Sequence, residues 1–484
     1  AGKEASEEEL RVPERGGDEG RVFFFFFFLI RRPPRSTLVP YTTLFRSRIW
    51  PQDEINRRLV ELAQAGKHVV RLKGGDPAVF AHGAEEIDAL RQHNITFEVV
   101  PGITAALAAG SYAGIPITHR KLASAVALVT GHEENDKESA AVDYGALAAF
   151  PGTLVVYMGV TTAPTWTAAL ISAGRSAETP TAIVRRCSLP DQRMIQCTLG
   201  EVAEKMTGEK KIRPPAIVIV GEVTTLASSL SWFDKRPLFG QTNMVTRPRQ
   251  QAASLASSLE ELGANVVVQP AIRITEPEDW KPVDTAIEQL ADYDWLVFSS
   301  TNGVNFFFER LFELGHDVRA LGGLKLAAVG PGTADELARF HLHVDVRPDD
   351  FNAESLTSAL SDKARGKRFL LPRASRGREV LPDDLRSAGG SVDQIVAYRS
   401  LDVEHPDRDV AKRLADGGID WITVTSSAIA QSLVQLFGDD LRHSRLASLS
   451  PITSNTIREL GHEPTIEAKD HNMQGLIDAL LDSD

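Results

Sequence analysis

The chain has 484 residues, 43% of them hydrophobic and 24% charged, with a formal net charge of -12 at pH 7. That length accommodates about three domains at roughly 150 residues each, and the composition is that of a soluble globular protein. The acidic excess argues against nucleic acid or an anionic membrane as partner, and the two cysteines, Cys187 and Cys197, are too few for a disulfide framework or a cysteine-based zinc site and read as reduced thiols.

The chain opens on 21 residues without a recognisable pattern and then runs through "VFFFFFFLI" at 22–30, which has neither a helical nor a strand period. The run is shorter than the roughly 20 residues that span a bilayer. Acidic rather than basic residues precede it and no small-residue cleavage site follows, so it does not read as an export signal. With no other long apolar span, the expected location is the cytoplasm. Residues 29–47 resemble one reading frame of a common sequencing-adapter oligonucleotide, departing from it at Leu29 and Val39, and six phenylalanines match a poly-T tract. Residues 1–47 are therefore expected to be a spurious or disordered leader that packs against nothing, with the protein's own sequence resuming near Arg48.

From Arg48 the chain alternates short β-branched runs with Ala- and Leu-rich stretches. "HVVRL", "FEVV", "AVALVT", "TLVVYM", "TAIV" and "PAIVIV" predict strands, while "EINRRLVELAQAG" and "GAEEIDALRQH" predict helices. The alternation predicts an α/β fold with a largely parallel sheet. The Ser-, Pro- and Gly-bearing stretch at 228–240 predicts a linker. Beyond it a second α/β series begins, with strands in "NMVTRP", "ANVVVQP", "WLVFSS", "LKLAAVG", "HVDVRP", "RFLLPR", "VDQIVAY" and "WITVTSS". Two segments echo each other, "DWLVFSSTNGVNFFF" and "DWITVTSSAIAQSL", as do "AAVGPGTADELARF" and "ASLSPITSNTIREL", which suggests two like-built lobes.

In "RLKGGDPAVFAHGAEE" a strand ends in Gly74 and Gly75, where a missing Cβ lets backbone approach a ligand closely. Asp76 follows as an acceptor and Pro77 fixes the turn. "VVPGITAALAAG" repeats the theme, with Thr104 and Ala105 opening a helix whose free N–H groups can receive polar atoms. A Gly-Gly-Asp-Pro turn is equally a purely structural device. Together with "PQDEINRRL", "GIPITHR", "LVTGH", "VVYMG" and "PAIVIVGEV" in order, these stretches resemble the tetrapyrrole methylases over roughly residues 49–233, above all uroporphyrinogen-III C-methyltransferase.

The resemblance implies a domain at 48–227 that binds S-adenosylmethionine through Gly74, Gly75, Asp76, Val79, Thr104, Ala105, Met158 and Cys187, the last standing where the family has glycine. Without the family, Met158 reads as a core residue. The resemblance leaves open a homodimeric methylase half. Against the pattern, the loop at 78–83 is altered, and the first strand, its "GxGPGD" loop and the family's proton-handling Asp and Lys have no counterpart. The first βα unit is therefore expected to be missing and methyl transfer to be impaired. His119 and His132 are substitutes by residue type only.

In the second series the recurring feature is a strand that ends in small hydroxyl residues before a helix: Ser299, Ser300 and Thr301, then Thr425, Ser426 and Ser427. Thr333, Thr453 and Ser454 occupy similar turns. Each is an N-cap by pattern; four such helix starts facing one cleft would also suit carboxylates. "VTRP", "LVFSSTNGVNFFF", "AAVGPGTADEL", "FLLPRASRGREVLPDDLRSAGGSVDQIVAYRS", "ITVTSSAIAQSL" and "PITSNTIRELG" resemble uroporphyrinogen-III synthase over 241–484. The resemblance implies lobe one at 241–272 and 402–484, lobe two at 273–398, and a cofactor- and metal-free cyclisation of hydroxymethylbilane, which bears eight carboxylates. Tyr398 matches the family's candidate for assisting hydroxyl loss. Ser299, Ser300, Thr333, Ser426, Ser427 and Thr453 would bind substrate, and Arg247, Arg373 and Arg376 would either pair with its carboxylates or form internal salt bridges. A fusion of this kind would feed precorrin-2, siroheme and cobalamin. The competing reading is a non-catalytic tetrapyrrole-binding module, which needs carboxylate donors but no group at the leaving hydroxyl.

Overall fold

The computed structural model describes residues 50–132, 142–208, 211–350, 352–377 and 379–483, together with the backbone of 21–26. The chain divides into two compact units, Ala1–Gly240 and Gln241–Asp484.

The first unit opens on β1, Arg21–Phe26, and continues with β2, Val69–Lys73, and β3, Thr96–Val99. β1 is the central strand of a three-stranded sheet of order β2-β1-β3, parallel to both neighbours. Residues 21–26, which the sequence places in a leader, are thus paired with a strand on either side. Phenylalanine is a favourable strand residue. The adapter-like segment at 29–47 lies outside the described residues. The helices Gln52–Gln64 and Gly83–Gln92 pack Leu59, Val60, Ala63 and Leu90 around Val69.

The helix Ala105–Tyr112 leads into a second sheet built from β4 (Val126–Thr130), β5 (Thr153–Tyr157), β6 (Pro180–Arg185), β7 (Arg193–Thr198) and β8 (Ala216–Val220). Its order is β4-β5-β8-β6-β7. Only β4 and β5 run parallel; β5–β8, β6–β8 and β6–β7 are antiparallel. In this unit parallel pairing is thus confined to the first three strands and to β4–β5. β7 escaped the sequence reading because "RMIQCT" carries polar residues outward on an edge strand. The stretch at 228–240 folds onto this unit instead of forming a free linker: Phe233 and Leu238 are buried, the Trp232 Nε1–H donates to the Ser111 carbonyl at 2.9 Å, and Phe233 meets the Tyr112 ring edge-on.

The second unit holds two sheets. β9 (Thr242–Val245), β10 (Asn265–Val268), β16 (Trp421–Val424), β17 (Arg445–Ser448) and β18 (Ile466–Glu467) form one, in the order β10-β9-β16-β17-β18. β11 (Ile272–Thr275), β12 (Trp295–Phe298), β13 (Lys325–Ala328), β14 (Arg368–Ala374) and β15 (Ser391–Asp402) form the other, in the order β11-β15-β14-β12-β13. β11 leaves the first lobe and β15 returns to it, antiparallel, with Ile272 opposite Asp402. "HVDVRP" forms only a bridge between Val346 and Ala327.

The lobes repeat each other in atomic detail. The Oδ2 of Asp294 accepts the Arg368 amide at 2.9 Å, and the Oδ2 of Asp420 accepts the Thr242 amide at 2.7 Å. Asn352 and Asn472 each cap a helix, accepting from Ser355 and Gly475 at 2.7 and 2.9 Å. The paired "DW" motifs are therefore one solution used twice, an Asp that pins the neighbouring strand's first amide.

Candidate functional sites in the two units

In the first unit the loops after β2 and β3 are clamped together by one carboxylate. Asp76 accepts from the Ala78 amide through Oδ1 at 2.8 Å and from the Gly102 amide through Oδ2 at 2.9 Å. Gly75 adopts φ +80°, and a Cβ placed there would stand 3.9 Å from Thr104 Cα and Ala105 N, in the gap between the loops. A Cβ on Gly74 would meet nothing within 4 Å. Val79 packs with Cys187 against the unit's core, and burial pushes the Cys187 thiol up to about 12.

Thr104 is buried and precedes the helix Ala105–Tyr112; its hydroxyl lies 2.6 Å from the Tyr157 hydroxyl instead of capping. The Tyr157 oxygen itself accepts the Ala106 amide at 2.8 Å and so caps that helix. Tyr157 was missed in the sequence, although it stands beside Met158 in "YMG". Met158 is 51% exposed with φ +53°, which excludes the core reading. Phe80, His82, Arg186 and Ser188 also have φ between 49° and 66°. A left-handed backbone costs a non-glycine residue about 1–2 kcal/mol, and such strain concentrates at ligand sites. His119 accepts the Lys121 amide in a turn and His132 is exposed.

In the second unit Tyr398 lies on β15 at a register shift: Arg373 pairs with Val396 and Ala374 with Tyr398, so Ala397 is an extra residue. A bulge re-aims the side chain that follows it. The Tyr398 side chain is 6% exposed, stacks on Phe306 at 5.7 Å, and places its hydroxyl 2.9 Å from Ser300 Oγ. Burial raises its pKa, while the hydrogen bond with Ser300 and the nearby Asn302 and Arg373 act in the opposite sense. Ser300 is also the N-cap of the helix Thr301–Glu313, accepting from the Gly303 amide at 3.1 Å.

The other hydroxyl residues separate into groups. Ser426 caps the helix Ser427–Phe437, and Ser427 bonds Thr456 at 2.7 Å. Ser299 is exposed and precedes the cap Ser300. Thr333 and Thr453 are neither caps nor surface donors. Each lies in the first turn of its helix, after the caps Gly330 and Ser450, and is only 5% and 2% exposed. Ser454 is fully buried and bonds Ser448.

The arginines also separate. Arg373 pairs with Glu379 at 2.6 Å, and Arg376 pairs with Asp402 at 2.8 Å. Both thus form internal salt bridges, and Arg376 Nη2 is in addition buried without a hydrogen-bond partner. Arg247 has no carboxylate partner among the described residues. Its guanidinium donates to Gln251 Oε1 at 3.0 Å and lies against Met473 Sδ, and desolvation lowers its pKa. Gln251 in turn donates to Asn302 Oδ1 of the other lobe at 2.7 Å. Among the described residues no group of three or more His, Cys, Asp or Glu is arranged to hold a metal, and no helix is long and apolar enough to cross a membrane.

Comparison with known proteins divides the chain in the same way. The family Tetrapyrrole (Corrin/Porphyrin) Methylases matches residues 24–203, and the family Uroporphyrinogen-III synthase HemD matches residues 253–478. The chain is 33% identical over 438 residues to the porphyrin biosynthesis protein HemD of Ruminiclostridium josui, covering 89% of this chain and 84% of that protein. It is 37% identical over 299 residues to the uroporphyrinogen-III C-methyltransferase of Bacillus subtilis, covering 62% of this chain and 61% of that one. Among solved structures it is similar to the uroporphyrin-III C-methyl transferase of Thermus thermophilus complexed with S-adenyl homocysteine, at 43% identity and a TM-score of 0.32, covering 36% of this chain and 75% of that one.

Proposed function

The chain belongs to the family of the porphyrin biosynthesis protein HemD, a fusion of a tetrapyrrole methylase with a uroporphyrinogen-III synthase, and from that premise we propose that Gln241–Asp484 closes hydroxymethylbilane into uroporphyrinogen III without cofactor or metal. The observation that carries this reading is the buried Tyr398 hydroxyl, set by a bulge against Ser300 where the two lobes meet.

The reaction breaks the substrate's terminal C–O bond, whose electron pair leaves with oxygen. Tyr398 O–H hydrogen-bonds to that oxygen and assists its departure as water, without placing a fixed charge beside the cation that forms. The cation closes on the substituted carbon of ring D, the spiro intermediate opens, and closure in the inverted sense returns one proton. The net change is bilane to macrocycle plus water. Linear bilane closes unaided to the uninverted isomer, so positioning is the larger part of the protein's task. With a net charge of -12 the molecule as a whole does not attract an octa-anion. Arg247, lacking a carboxylate of its own, is the residue available to hold one from the substrate.

The residues of the first unit fit S-adenosylmethionine: Gly74 and Gly75 leave an opening that a Cβ would fill, and Met158 and Phe80 are exposed on strained backbone. When bound, that molecule supplies a methyl group to a nucleophilic carbon. Asp76 holds the two loops in register, and Tyr157 fixes the helix start that faces them. No "GxGPGD" sequence occurs near β1, so methyl transfer is proposed to be weak. Tyr398→Phe tests the synthase reading: it removes one hydroxyl and keeps the ring stacked on Phe306. Turnover should fall at least about tenfold, short of the full 10²–10⁴ of a general acid because the bilane is intrinsically reactive; unchanged turnover would refute the role.

A further inference from the structure

The loop between β2 and the helix Gly83–Gln92 carries Gly75, Asp76 and Phe80, and two of its residues stand on left-handed backbone, Phe80 at φ +50° and His82 at φ +51°. Such backbone is unfavourable for a residue with a Cβ, and it persists only where the surroundings impose it. Ala81, between the two, is held by one side chain: the Lys73 ammonium donates to its carbonyl oxygen. Lys73 is the last residue of β2, so this contact joins the two ends of the loop. Its side chain is only 5% exposed and is ion-paired at 2.8 Å with Glu86, which is fully buried. Glu86 in turn accepts from Arg71 Nη2 and from Gln52 Nε2, each at 3.1 Å, and is thereby fixed from β2 and from the start of the helix Gln52–Gln64. The loop folds back closely on the next helix, since a Cβ on Gly83 would stand 2.2 Å from the Pro77 carbonyl oxygen. Phe80 is 45% exposed, and its ring lies 4.9 Å from that of Tyr157, the residue that caps the helix Ala105–Tyr112.

We propose that Lys73 is a positioning residue for S-adenosylmethionine: it imposes the left-handed turn at Phe80–His82 and so keeps the loop seated against Tyr157, with Gly75 and Asp76 held at the opening. A free lysine would lose rotamer entropy in gripping a carbonyl; here Glu86, itself fixed by Arg71 and Gln52, has already immobilised it. As a stability device the arrangement is poor. A buried ion pair returns little net stability, and the strained turn subtracts from it. What the cluster maintains is the shape of the loop. This inference rests on the reading that the first unit binds S-adenosylmethionine, and it names the side chain that shapes the loop for it.

The test uses a suppressor. Lys73→Met in the full chain frees the Ala81 carbonyl and lets the turn relax, so the Kd for S-adenosylhomocysteine in isothermal titration should rise at least roughly fivefold, the weight of one left-handed residue. Glycine adopts φ > 0 without strain, so adding His82→Gly to Lys73→Met should tighten binding again by about threefold or more. Amide exchange should quicken at 77–83 in Lys73→Met and stay as in the wild type at 69–72. A Kd unchanged by Lys73→Met would overturn the proposal. So would a loss that His82→Gly does not relieve, because Lys73 would then act through its charge or through general architecture, and so would exchange raised equally in both segments. Wild-type protein that does not bind S-adenosylhomocysteine removes the cofactor reading and this inference together, whereas a binding wild type with an unaffected Lys73→Met removes only the inference. If circular dichroism finds Lys73→Met unfolded, Lys73→Gln takes its place under the same criteria: it keeps an N–H for Glu86 and is one atom too short to hold Ala81 as well.

Discussion

Asp76 and Gly102 are joined by a hydrogen bond of 2.9 Å from the Gly102 amide to Oδ2, while the other carboxylate oxygen takes the Ala78 amide. One side chain thereby sets the gap between the two loops of the first unit that flank Gly75. Asp76→Ala leaves two amides without their charged acceptor, at about 1.5–3 kcal/mol for each bond of this kind. Isothermal titration with S-adenosylhomocysteine should show a Kd raised at least roughly tenfold, with Asp76→Asn intermediate because its oxygen can serve one amide. Equal affinity in all three proteins would show that the clamp does not shape the site.

The pairing of Arg21–Phe26 with both β2 and β3 predicts slow exchange. Peptides covering 21–26 should retain amide deuterium protection comparable to that of 69–73, because a central strand opens only when the sheet does. Exchange as fast as that of an unfolded peptide would contradict the strand and restore the expectation of a leader outside the fold.

Burial pushes the Cys187 thiol up to about 12 and the Cys197 thiol to about 11, from ordinary values of 9.0. At pH 8 the thiolate fractions should be lower than that of a free cysteine by roughly a thousandfold and a hundredfold, and alkylation slower in proportion. The sign for stability follows: both folded values are raised, so their contribution is complete below the unfolded value near 9 and is lost as pH rises through about 11 and 12. Iodoacetamide labelling of native and urea-unfolded protein checks this, and rapid native labelling at pH 8 would contradict the burial.

Arg247 has no carboxylate partner among the described residues. Arg247→Met keeps the side chain's length and removes the charge, so KM for hydroxymethylbilane should rise by roughly ten- to a hundredfold, as for a lost charge-assisted bond. Arg376→Met removes a charge already neutralised by Asp402 and should change KM less. Equal KM values in Arg247→Met and the wild type would remove Arg247 from substrate binding.

Much of this was legible in the sequence because local pattern and tertiary role coincide. "DWLVFSS" and "DWITVTSS" announce two lobes, since the same Asp pins a neighbouring strand in each. The Tyr398 position came from family likeness, but the bulge at Ala397 and the stacking on Phe306 depend on pairing between distant segments that no single window records. Thr333 and Thr453 read as caps in the sequence because a hydroxyl one turn into a helix and a hydroxyl at its cap look alike there; the caps are Gly330 and Ser450. The Phe run shows no strand alternation, and the central place of 21–26 in the first sheet is set by pairing with segments far along the chain. The asymmetry between Arg247 and the paired Arg373 and Arg376 was equally invisible, because it is set by where Glu379 and Asp402 lie.

Whether Gln241–Asp484 directs closure with inversion is read from the isomer composition of the product, as porphyrin after oxidation, when the full chain is given hydroxymethylbilane with neither S-adenosylmethionine nor metal. Type III should predominate, and Tyr398→Phe should shift the product towards type I as unassisted closure overtakes the slowed enzyme. Type I alone from protein that circular dichroism finds folded would contradict the synthase function.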